Sequence, residues 1–106
     1  MYEIAEGGLR LRVELGEDSP ETVENADGWL LLPDGSRWSA TFLTYAELGR
    51  LMDRWAASGE CLGGRYFTCP DLVLIRDPGT QKMFAAAKDL VASGEYEVTL
   101  GRLDPE

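Results

Sequence analysis

The chain contains no histidine in 106 residues and only two cysteines, Cys61 and Cys69. Without an imidazole, no Cys-His or Ser-His pair can form within one chain, so the commonest activated nucleophiles are excluded. A structural zinc site takes about four ligands, mostly Cys and His; two thiols do not complete one. Two cysteines are also too few for a disulfide scaffold, so reduced thiols in a cytoplasmic protein are expected. Lysine is scarce: eight Arg and two Lys stand against 19 acidic residues, for a net charge of −9. Phosphate backbones are held by clustered cations, so no nucleic-acid partner is expected. No apolar run approaches the roughly 20 residues of a membrane-spanning helix. The opening MYEIAEGGLRLR lacks the basic-then-apolar order of a secretory leader, so no membrane partner is expected either. Gly63-Gly64-Arg65 precedes a strand pattern instead of opening a helix, which is not the order of a phosphate-binding loop. No cofactor, metal site or catalytic residue is assigned.

What is present is the composition of one globular domain over residues 1–106, with 44% apolar and 27% charged residues. Leu9, Leu11, Val13 and Leu15 alternate with Arg10, Arg12 and Glu14, the period of a strand with one dry face. Residues 16–28, GEDSPETVENADG, read as a mobile acidic loop. Its carboxylates Glu17, Asp18, Glu21 and Glu24 are candidate partner contacts; Glu17, Asp18 and Glu21 lack the spacing of a calcium loop. Residues 29–43 predict a hairpin turning at Asp34-Gly35. Thr44 and Glu47 form a capping box ahead of a helix over 44–58. Leu48, Leu51, Met52 and Trp55 give that helix one apolar stripe, and Gly59 ends it.

Residues 65–68 and 72–76 read as a second strand pair. The continuous run Leu72 to Ile75 points to a central strand covered on both faces. Asp77-Pro78 signals a helix over 78–93, and Tyr96, Val98 and Leu100 a last strand. The order is β-ββα-ββα-β, an α+β fold with an antiparallel-rich sheet and two helices on one face. Shifting residues 29–60 forward by 35 lays one ββα unit on the other, which would imply a pseudo-twofold repeat.

Two helices cover one sheet face. Trp29, Leu30, Leu31 and Leu32 put large apolar groups on both faces, so the second needs the N-terminal segment, a second copy or a partner to cover it. Arg65, Tyr66 and Phe67 add the Arg-plus-aromatic composition of interface centres. Trp29, Leu31, Arg65, Tyr66 and Phe67 therefore join the acidic residues as partner-binding candidates.

GECLGGRYFTCPDLVLIRD, with the preceding LPDGSRWSATF, resembles a group of small uncharacterised bacterial proteins. They share GECL-x-G-[KR]-YF, then an apolar strand, a helix and a terminal strand. The resemblance spans roughly residues 28–103, leaves the acidic segment outside, and implies no activity or catalytic residue. In size and acidity the chain is similar to immunity proteins encoded beside bacterial toxins, a likeness of composition. The expected function is a non-enzymatic interaction module that binds another protein or itself as a dimer, an immunity or inhibitor protein in its concrete form. The alternatives are a small ligand-binding domain or enzyme with a pocket between sheet and helices, and a homodimeric structural subunit.

Overall fold

The computed structural model describes residues 1–103; residues 104–106 of the expected domain lie outside the described residues. The fold is α+β. Strands β1 (Tyr2–Glu6), β2 (Leu9–Val13), β3 (Asn25–Leu31) and β4 (Arg37–Thr44) form an antiparallel meander. Two short strands then share the other side of β4. β5 (Leu72–Ile75) runs parallel to its last residues, and β6 (Gly101–Leu103) runs antiparallel to its first. A parallel neighbour needs a crossover, and residues 45–71 supply it. They comprise helix α1 (Tyr45–Ser58), the single turn α2 (Glu60–Gly64) and a loop. Helix α3 (Thr80–Ser93) and the turn α4 (Tyr96–Thr99) lead into β6.

Alternation sorts the side chains. Leu9, Leu11, Val13, Leu30, Trp38, Ala40, Phe42, Val73 and Ile75 fall on one face and are buried with Met83, Phe84 and Ala87 of α3. Each large apolar side chain so buried contributes about 1.5–3 kcal/mol. Gly28 belongs to this face because a Cβ there would sit 2.8 Å from Phe42 Cε2. Trp38 meets Tyr96 edge-on, with ring centroids 5.0 Å apart, which ties α4 to the sheet.

Strands and helices follow the expected order, with β1 added and several segments differing in detail. The acidic segment is not a mobile loop. Val23 is buried, Asn25–Asp27 belong to β3, and the Pro20 and Val23 carbonyls accept from Thr80 and Gly79. Those carbonyls meet the N–H groups at the start of α3, which therefore begins after Gly79 with no side-chain cap at Asp77. The Thr44 hydroxyl accepts from the Glu47 N–H at 3.0 Å as the capping box predicts. Glu47 turns to Arg50 instead of back, because the Glu24 carbonyl already takes the Thr44 N–H. Residues 65–68 form no strand, so the second ββα unit lacks its first arm and the two units are not equivalent. Tyr96–Thr99 is a helical turn, and the final strand begins at Gly101. β5 is a terminal strand of the sheet, not a central one.

α2 accounts for the missing arm. Cys61 (φ 49°), Leu62 (φ 57°) and Gly63 (φ 70°) all occupy left-handed backbone. Two of the three carry side chains, at about 1–2 kcal/mol each relative to right-handed helix. The turn folds the chain back on α1: a Cβ on Gly64 would lie 2.0 Å from the Met52 carbonyl oxygen.

Candidate functional site

The expected partner-binding residues occupy three separate places. Trp29 and Leu31 lie on the sheet face opposite α3, both half-buried. Register sets Arg12 beside Trp29, and Leu31 between Arg10 and Arg37. Arginine stems shelter apolar neighbours while their heads stay wet. Arg12 is also paired with Glu3 at 3.0 Å. The face is therefore not the bare apolar sheet the sequence implies. Leu30 and Leu32 turn into the core, and residues 9–13 pair within the sheet instead of folding across it.

Arg65, Tyr66 and Phe67 follow the left-handed turn. Phe67 stacks on Trp55 with centroids 5.8 Å apart, while Arg65 and Tyr66 are exposed.

Glu17, Asp18, Glu21 and Glu24 do not converge. Glu17 and Asp18 are exposed, and Glu21 accepts from the Ser19 hydroxyl. Glu24 accepts from Arg50 and from the Thr44 hydroxyl, which holds its carboxyl below the ordinary value. Arg50 is raised by its bonds to Glu47 and Glu24. Among the described residues no cluster of three His, Cys, Asp or Glu side chains is placed to hold a metal ion. Cys61 and Cys69 are free thiols.

What the fold does assemble lies where α1 passes β5. A surface helix of a globular domain covers its apolar stripe against the core. In α1 no residue is buried, and Leu48, Leu51, Met52 and Trp55 are only half-covered. Tyr45, at its start, is 72% exposed, and Leu74 of β5 is 48% exposed. Tyr45, Leu74, Ile75 and Arg76 line an open groove of about 590 Å³. Tyr45 also borders an apolar hollow formed with Leu48 and Met52. This groove lies at the sheet edge and is not an enclosed pocket between sheet and helices.

Sequence reasoning missed Tyr45, Leu74 and Arg76. The usable signal was Pro70 and Pro78 bracketing a four-residue strand. Short, proline-flanked strands belong at sheet edges.

Asp71 fixes this edge from beneath. Its carboxylate accepts from Ser39 Oγ and Thr41 Oγ1, each at 2.8 Å, and from Cys69 Sγ at 3.3 Å. Its carbonyl accepts from the Thr41 N–H at 2.9 Å. Burial pushes the carboxyl up, but the bonds from Ser39, Thr41 and Cys69 outweigh it, so it lies below its ordinary value.

Comparison with protein families, curated proteins and solved structures found no match. No helix among the described residues is long and apolar enough to cross a membrane.

Proposed function

We propose that the chain is a non-enzymatic, cytoplasmic protein-interaction module whose partner seats where α1 passes β5. The observation that supports this most directly is the apolar stripe of α1, which the other described residues leave only half-covered. Tyr45, Leu48, Met52 and Leu74 lie along one surface, enlarged by the groove at Arg76. Contiguous apolar surface of this kind marks interaction sites more often than isolated exposed residues do. The net charge of −9 disfavours polyanionic partners and is compatible with a protein partner.

Photo-crosslinking residues installed at Tyr45, Leu48 or Leu74 test this in cells. A shared crosslinked polypeptide is expected from all three positions. The same residue at Val98, which is 86% exposed on α4, serves as control. A crosslinking pattern at 45, 48 and 74 no different from that at 98 would overturn the proposal.

A further inference from the structure

β5 has an outer edge that no described strand pairs. In a parallel ladder, alternate residues direct their N–H and C=O groups to one neighbour and the intervening residues to the other. The Thr41 N–H donates to the Asp71 carbonyl, and Thr41 stands in register with Leu72. Asp71, Val73 and Ile75 therefore serve β4, and the main-chain groups of Leu72 and Leu74 point outward. This edge runs beside the groove of Tyr45, Leu74, Ile75 and Arg76. Among the described residues, Arg76 is the one charged residue lining that groove, and it has no ion pair with another of them.

We infer that the edge of β5 takes up an extended polypeptide segment by strand addition, with an apolar side chain in the groove and a carboxylate against Arg76. This rests on the interaction-module reading and specifies the occupant. Main-chain hydrogen bonds to Leu72 and Leu74 supply sequence-independent affinity, and alternate side chains supply selectivity. The carboxylate requirement follows from charge complementarity, since an arginine fork matches a carboxylate with two parallel bonds.

Random heptapeptides displayed on phage, selected against the whole chain, provide the probe. Selected sequences are expected to alternate apolar and polar residues and to carry Asp or Glu toward one end. Arg76→Glu should shift the selected charge to Lys or Arg. Leu74→Pro removes an outward N–H without taking a bond from β4, an arrangement an edge strand tolerates. It should weaken the best synthetic peptide at least about tenfold in fluorescence anisotropy, a loss in keeping with a main-chain hydrogen bond. Leu74→Lys leaves the backbone intact and should weaken the peptide as well, which separates loss of the groove from loss of the fold. On peptide binding, amide exchange should slow at Leu72 and Leu74 and stay unchanged at Val73.

An unaltered charge preference in Arg76→Glu would overturn the carboxylate assignment. A wild-type dimer in sedimentation equilibrium that Leu74→Pro dissociates would give the edge to a second copy and overturn the peptide occupant. Crosslinks from Tyr45 and Leu74 without protection of Leu72 and Leu74 would overturn strand addition and leave the interaction module standing. Absence of those crosslinks would remove the module itself.

Discussion

Trp55 and Phe67 lie nearly parallel, with ring planes 14° apart and centroids 5.8 Å apart. The pair joins the last turn of α1 to the chain emerging from the left-handed turn. It closes the hairpin of α1 and the left-handed turn, which carries half of the proposed surface.

Phe67→Ala should therefore loosen the hairpin and spare the sheet. Loss of the stacking alone is worth about 0.5–1.5 kcal/mol beyond the area exposed. Amide exchange is expected to speed up across residues 45–64 while β2, β3 and β4 keep their protection. Uniform acceleration throughout the chain would contradict this.

Backbone handedness gives an opposed pair of outcomes in the same hairpin. Leu62→Gly should leave stability unchanged or raise it by up to about 1 kcal/mol, since it relieves a left-handed residue at a 74% exposed side chain. Gly64→Ala should lower stability by about 1–3 kcal/mol through a left-handed φ and contact with the Met52 carbonyl. Urea titration of the two variants reads both signs.

Asp71 makes the edge pH-dependent. Its carboxyl lies below the ordinary value of 3.8, so its contribution is complete above that pH and is lost as pH falls through the folded value. At pH 7, Asp71→Ala should cost about 1–3 kcal/mol by leaving Ser39 and Thr41 without their acceptor. Below pH 3.8 the gap between wild type and Asp71→Asn in urea midpoint should narrow. A gap constant across that range would show that the charge of Asp71 contributes nothing.

Arg10, Arg12 and Arg37 share one sheet face, yet the protein should not bind nucleic acid. Three phosphate contacts limit the slope of log affinity against log salt to about −3. At moderate salt no retention of duplex or single-stranded DNA is expected in filter binding. A steeper slope would require more cations than this face holds.

Much of the sheet was legible because alternation has a short period and needs no knowledge of distant residues. Leu9 to Val13, the Asp34-Gly35 turn and the Thr44 cap all lie in neighbouring positions. What failed depends on distant partners. Residues 16–24 look mobile by composition, but their carbonyls meet the start of α3. Residues 65–68 have strand-like side chains, but the preceding left-handed turn commits that stretch to packing against α1. Leu72 to Ile75 resembles a central strand because an apolar run does not reveal how many neighbours it has. The proposed surface was hidden for that reason: its residues come from a helix read as covered and an edge read as interior.

The side of β4 shared by β5 and β6 has a consequence for the order in which the molecule assembles. β1 to β4 pair with sequence neighbours, so the meander over residues 2–44 closes without waiting for later parts of the sheet, although its β2–β3 connection also bonds the start of α3. β5 and β6 must return from much farther along the chain, a slower event. During that interval the outer edge of Arg37–Thr44 is unprotected and open to strands from other nascent chains. The first 27 residues, which fold with the meander, carry eight acids and two bases. Like charge on that segment opposes the approach of two chains to each other.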